Sequence, residues 1–189
     1  MNIGVLALQG AFIEHIRVLE SLGAETFEIR NLSDLKQKPD GLIFPGGEST
    51  VMSKLLLDLG LYNELRSLIL SGTPVMGTCA GLILLAKYVE GGVPSLATMD
   101  ITAIRNAYGR QLGSFEIVAP FADVGDVHMT FIRAPVISHV GKNVRVLAEV
   151  DGNIVAAREQ NQLVLSFHPE LGKNTTVHQY FLNMVSGIN

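Results

Sequence analysis

A single cysteine stands in Gly77-Thr78-Cys79-Ala80-Gly81, between a strand-like run from Thr73 to Met76 and a helix-like run from Leu82 to Lys87. A thiol at a sharp strand-to-helix turn is a candidate nucleophile. Glycines on both sides let the backbone turn tightly and pack closely, as in the nucleophile elbow of serine hydrolases. The helix N-terminus beyond it offers free N–H groups and positive partial charge, which favour a thiolate. The N–H of Ala80 is placed to face an oxyanion. Ser166-Phe167-His168-Pro169-Glu170 supplies what such a thiol needs next. A residue before proline is biased to extended backbone, and there positions i and i+2 share a side. Glu170 can then orient His168, and His168 can move the Cys79 proton. A third cluster, Pro45-Gly46-Gly47-Glu48-Ser49, follows a short apolar run. Its glycines can aim the Gly47 N–H at the same oxyanion, and Glu48 can meet a substrate ammonium. The chemistry these types suggest is acyl transfer through a thioester.

Each cluster also has a plainer meaning. Most unpaired cysteines are small buried hydrophobes. His-Pro-Glu is short and suits a surface turn. The paired glycines fit a tight turn or a phosphate cradle, although no Gly-Lys-Ser/Thr follows, which argues against a Walker-type nucleotide site.

The elements that must position these groups are legible in outline. Ile3 to Leu8 and Gly41 to Phe44 read as strands buried on both faces, and Glu25 to Arg30 alternates like a strand. Phe12, Ile16, Leu19 and Leu22 recur at helical spacing, with Gly23 closing the helix. Ser49 is the expected cap of a second helix, and a third runs from about Tyr62 to Leu70. Such alternation builds a parallel sheet with helices on both faces, and ligands bind beyond the carboxyl ends of its strands. Gln9-Gly10, Gly46-Gly47 and Cys79 should gather at that edge. Beyond residue 90 the segments 101–104, 115–118, 127–132, 144–150, 154–157 and 163–167 read as an antiparallel continuation. Asp151-Gly152-Asn153 marks a hairpin, and a last helix covers about 175–185. The expected fold is α/β: one three-layer flavodoxin-like domain, mainly parallel, with an antiparallel extension.

Composition narrows the class. The chain has 189 residues, 48% hydrophobic, with net charge −4 and scattered Lys and Arg. That suits one globular domain and gives no basic stripe for nucleic acid. One cysteine forms no internal disulfide, no Cys pair suggests zinc, and a reducing cytoplasm is expected. The N-terminus lacks a basic region and does not read as a signal peptide. No run reaches the roughly 20 apolar residues of a membrane span.

The order Pro-Gly-Gly-Glu-Ser, Gly-Thr-Cys-Ala-Gly, His-Pro-Glu resembles the class I, triad-type glutamine amidotransferases. Further stretches resemble their branch of pyridoxal 5′-phosphate synthase glutaminase subunits. These are Leu6-Ala7-Leu8-Gln9-Gly10, Arg105-Asn106-Ala107-Tyr108-Gly109-Arg110-Gln111, Ser114-Phe115-Glu116 and Phe131-Ile132-Arg133-Ala134-Pro135. Many relatives carry Gly-x-Cys-x-Gly-x-Gln at the elbow. Ile83 stands at the last position here, which suits the pyridoxal branch.

The resemblance spans essentially residues 1–189 as one amidotransferase domain. It implies hydrolysis of L-glutamine to glutamate and ammonia, with Cys79 as nucleophile, His168 as base and acid, and Glu170 as its orienting partner. Gly46, Gly47, Glu48, Arg105, Ile132 and Arg133 would line the glutamine site, and Gly47 and Ala80 the oxyanion site. An arginine fork suits the α-carboxylate, although which arginine serves is open, and a surface salt bridge is the plainer role for both. No cofactor or metal is expected. The implied partner is a TIM-barrel synthase subunit, in a hetero-oligomer, that takes the ammonia. Gln9, Gly10, Glu14, His15 and Arg17 are candidates for the docking surface, against the plainer reading of a solvated helix face. His128, His139 and His178 are read as structural or surface residues, with nothing to pair them. Two other readings stay open: a cysteine peptidase or chaperone-like protein on a related sheet, and a catalytically silent regulatory subunit. Glu170 and the glycine loop weigh against the first, and the intact Cys-His-Glu set against the second.

Overall fold

The structure is a computed structural model describing residues 1–107 and 113–188. Tyr108, Gly109, Arg110 and Gln111 lie outside the described residues. The first half alternates as its apolar periodicity predicts. It runs through β1 (Asn2–Leu6), α1 (Phe12–Ser21), β2 (Glu25–Ile29), β3 (Gly41–Phe44), α2 (Ser49–Asp58), α3 (Leu61–Leu70), β4 (Val75–Thr78) and α4 (Ala80–Leu85). The second half is mostly strand: β5 (Ala86–Glu90), β6 (Met99–Ile104), β7 (Ser114–Phe121), β8 (Gly125–Ile132), β9 (Val136–Val140), β10 (Arg145–Val150), β11 (Asn153–Glu159) and β12 (Gln162–Leu165). It closes with α5 (Thr176–Val185). No helix among the described residues is long and apolar enough to cross a membrane.

The central sheet runs β2-β1-β3-β4-β12-β11-β9-β6-β5, with β10 also paired to β11. The pairings from β2 to β12 are parallel. β11 and β9 then run antiparallel to their neighbours. The expected architecture is present, and four details differ. β12 is not part of the antiparallel extension: it pairs in parallel with β4, Leu165 opposite Thr78. β7 and β8 form a separate two-stranded ribbon. The helix after Cys79 stops at Leu85, and Ala86 to Glu90 become an edge strand whose Ala86 and Val89 turn inward while Lys87 and Tyr88 face water. β9 is unforeseen, because Ser138 and His139 interrupt its apolar pattern. The Asp151-Gly152 hairpin is as read: both residues have positive φ, 50° and 76°, as a type I′ turn requires.

Alternation along the strands splits the core in two. Ile3, Val5, Ile43, Met76, Leu163 and Leu165 face α1, α5 and the ribbon. Leu6, Leu42, Phe44, Val75 and Val164 face α2, α3 and α4. Consequently β1, β3, β4 and β12 are consecutive in space, and all end at one edge. Gln9, the glycine loop, Cys79 and His168 follow those ends. Helix α4 sits down on the sheet because of glycine: a Cβ on Gly81 would lie 2.0 Å from the Phe44 carbonyl oxygen, and one on Gly77 would lie 2.7 Å from the Gly81 carbonyl.

Gly81→Ala therefore forces backbone apart rather than a pliable side chain. We expect a loss of about 2 kcal/mol or more, read as a lower urea midpoint. A midpoint equal to wild type would contradict this packing.

Candidate active site

Cys79 sits between β4 and α4 with φ 49° and ψ −99°, outside the ordinary regions for a side-chain-bearing residue. Its N–H donates to the Leu165 carbonyl at 2.8 Å, tying the turn to the end of β12. The strain presents the thiol to a pocket instead of the core. Helix α4 has six residues, so few peptide dipoles add up behind the thiol. The Ala80 N–H opens that helix and has no intrahelical acceptor.

β12 leads from Leu165 to His168 in three residues, so its parallel pairing with β4 carries His168 to Cys79. The His168 N–H donates to the Thr130 carbonyl at 2.8 Å, and its Nδ1–H donates to Glu170 Oε1 at 2.7 Å. The i, i+2 contact is made, but not along an extended strand: Pro169 to Leu171 form a 3₁₀ turn that folds Glu170 inward. Burial alone would lower the His168 pKa. Its interactions with the Cys79 side chain and with Glu170 outweigh burial and push it up to about 10. Glu170 stays below the usual carboxylate range, because His15 and His168 overcome the burial that would raise it.

His15 is the largest correction. Expected on a docking face, it is fully buried, because it shares the apolar side of α1 with Leu19. Its Nδ1 lies 2.9 Å from His178 Nε2, and its Nε2 lies 3.2 Å from Thr78 Oγ1 and 3.3 Å from Glu170 Oε2. His178 is thus paired, and His128 lies 3.4 Å from Glu116. Helical spacing held the signal for His15, which falls three residues after Phe12 and four before Leu19. Burial lowers the pKa of both inner imidazoles, in His178 to about 3.

The glycine loop forms the facing wall. A Cβ on Gly46 would lie 2.3 Å from His168 Cε1, so only glycine lets the ring lie against the loop. The Gly46 carbonyl accepts from the Ala11 N–H at 3.2 Å, and in a trans peptide the Gly47 N–H then points the opposite way. Gln9 Oε1 accepts from the Glu48 N–H at 2.8 Å. Glu48, not Ser49, caps α2: its carboxylate accepts from the N–H groups of Thr50 and Val51. It also takes the Thr50 hydroxyl and pairs with Arg105 Nη2 at 3.0 Å. Those bonds, the Thr50 hydroxyl foremost, lower its pKa.

These walls enclose a cavity of about 480 Å³. It gathers Gln9, Gly46, Gly47, Glu48, Cys79, Ala80, Arg105, Ile132, Arg133 and His168. Asn106 and Pro135 join them unforeseen. Asn106 and Arg133 both take positive φ, 49° and 44°. Glu170 stands behind His168, out of the cavity. Of the docking candidates, Gly10 and Arg17 are exposed, Gln9 and Glu14 half-buried.

Linkage gives this cluster a signed pH dependence. His15 and His178 resist protonation when folded, so their contribution is lost as pH falls below about 6.5, the free imidazole value. Glu170 adds to that loss below the ordinary carboxylate pKa. His168 is raised, so its contribution is complete below the free value and is lost as pH rises toward about 10. Unfolding free energy from urea titrations should peak near pH ~6.5, and His178→Gln should flatten the acid limb. An acid limb as steep as that of wild type would remove His178 as its source.

Residues 5–187 match the SNO glutamine amidotransferase family. A Methanocorpusculum labreanum protein named pyridoxal 5′-phosphate synthase subunit PdxT is 80% identical over the full length of both chains. A Streptococcus pneumoniae protein of the same name is 57% identical, with 97% of each chain covered. A crystal structure described as a glutamine amidotransferase superposes with TM-score 0.93 at 42% identity, covering 97% of this chain and 98% of its own. With residues 5–187 matched, the chain belongs to the SNO glutamine amidotransferase family.

Proposed function

We infer that the protein hydrolyses L-glutamine to L-glutamate and ammonia through a Cys79 thioester, and delivers the ammonia to a synthase subunit that builds pyridoxal 5′-phosphate. The observation that carries this reading is the Glu170–His168 hydrogen bond of 2.7 Å, with His168 and Cys79 lining one cavity. His168 Nε2 holds the Cys79 proton before attack, in keeping with its raised pKa, and Cys79 Sγ then attacks the side-chain amide carbon. The N–H groups of Ala80 and Gly47 hold the oxyanion. His168 returns the proton to the leaving nitrogen, ammonia departs, and a glutamyl thioester remains. Water then attacks the thioester, giving its proton to His168. The expelled thiolate leaves that proton on His168, and glutamate departs.

The Glu48–Arg105 pair suits a zwitterionic substrate. One member attracts an α-ammonium and the other an α-carboxylate, with Arg133 as a second fork beside them. Gly46 and Ile132 shape the channel between. The exposed side of α1, with Gly10, Glu14 and Arg17, is our docking surface for a TIM-barrel partner. A cytoplasmic setting goes with this reading, since the thiol must stay reduced.

The test is glutamate release, measured for the chain alone and with the synthase subunit. Cys79→Ala should lose about four orders of magnitude or more while keeping its fold. Glu170→Gln should lower kcat by roughly 10²- to 10⁴-fold with KM little changed. Glutamate release by Cys79→Ala at the wild-type rate would sink the mechanism. Separately, Arg17→Glu should weaken synthase binding about tenfold in a titration; unaltered affinity removes that residue from the surface.

A further inference from the structure

The mechanism leaves two buried histidines unused. His15, on α1, and His178, on α5, are both 0% exposed and lie one beyond the other behind Glu170. Glu170 Oε1 is taken by His168. Its other oxygen, Oε2, is buried, and His15 Nε2 at 3.3 Å is the cation-capable neighbour that meets it. A buried carboxylate oxygen without a donor is costly and free to swing.

We propose that His15 and His178 are positioning residues: a one-way chain of N–H donors, His178 to His15 to Glu170, holds the carboxylate so that it can hold His168. The inference rests on the glutaminase reading. Glu170 is ionised and accepts only, so an Nε2–H on His15 is the proton that Thr78 Oγ1, at 3.2 Å, and Oε2, at 3.3 Å, can share. A neutral imidazole carries one N–H, which leaves His15 Nδ1 bare. His178 must then donate its Nε2–H to that atom across 2.9 Å. The opposite tautomer would set the His15 Nε2 lone pair against a carboxylate oxygen. The groups facing His15 are Thr78 from β4, His178 from α5, Glu170 and His168 from the segment after β12, and Glu14 on its own helix. Burial keeps both imidazoles neutral, so the one formal charge of the layer stays on Glu170, opposite His168.

Nitrogen-15 histidine NMR of the wild-type chain tests the chain of donors directly. We expect His15 and His178 both neutral at pH 7 and both protonated at Nε2; a proton on His15 Nδ1 overturns the proposal. Kinetics test its consequence. Asn at position 15 is too short to reach Glu170, whereas Gln sets an amide N–H near the Nε2 position. His15→Asn should lower kcat about 10- to 100-fold with little change in KM, and His15→Gln should recover most of it. Alkylation of Cys79 by iodoacetamide at pH 7 should slow in His15→Asn and recover in His15→Gln, whether or not glutamine is a substrate. An inactive wild type whose alkylation still depends on His15 defeats the glutaminase reading alone. Wild-type kcat and alkylation in a folded His15→Asn defeat the positioning role.

Discussion

The site depends on one strand pairing. β12, from the far end of the chain, lies in parallel register beside β4, and the Cys79 N–H closes on the Leu165 carbonyl at 2.8 Å. That bond fixes where the thiol turn begins relative to the segment that carries His168. Slip the register by one residue and every side chain on β12 changes face. Leu163 and Leu165 would leave the α1–α5 core, and His168 would leave the thiol. Because both faces of β12 are fully buried, the register is specified strongly. The hydrophobic core thereby sets the geometry of the polar site at its edge.

How much of this was readable beforehand depended on distance along the chain. Local signals served well: Gly77 and Gly81 around Cys79, the i, i+2 relation of His168 and Glu170, the Asp151-Gly152 turn. The pairing of β12 with β4 crosses more than eighty residues, and no periodicity encodes it. A fully buried strand reads the same whether its neighbours run parallel or not. His15 failed for another reason. Its type says surface, while its place in the Phe12–Leu19 stripe says core, and the place was right. The same holds for His178, which lies beside Val177 and one turn before Phe181 and Leu182. A polar residue on an apolar stripe is a question about its partner, and here the partners come from three other elements.

Burying this much polarity is a demanding arrangement. His15, His178, Thr78, Ser166 and Glu170 all lie within the core, and three polar atoms among them, Ser166 Oγ, Glu170 Oε2 and His178 Nδ1, have no formed hydrogen bond. In a low dielectric each satisfied contact is strengthened and each unsatisfied one is costly. The cluster thus gives up some stability and gains a fixed orientation. Apolar replacements at positions 15 and 178 would tidy the core and leave Glu170 without its second neighbour.

The walls of the cavity differ in kind. On one side stand Arg105, Ile132 and Arg133, which are side chains. On the other stand Gly46, Gly47 and the start of α4, which present main chain. Only the first wall can vary by ordinary substitution. A Cβ at Gly46 would enter the His168 ring, and one at Gly81 would enter the Phe44 carbonyl. Redesign of this pocket can therefore change which molecule is held, through the arginines and Ile132, far more readily than it can change what is done to it. Selectivity is open to drift here, while the reaction is locked into the path of the backbone.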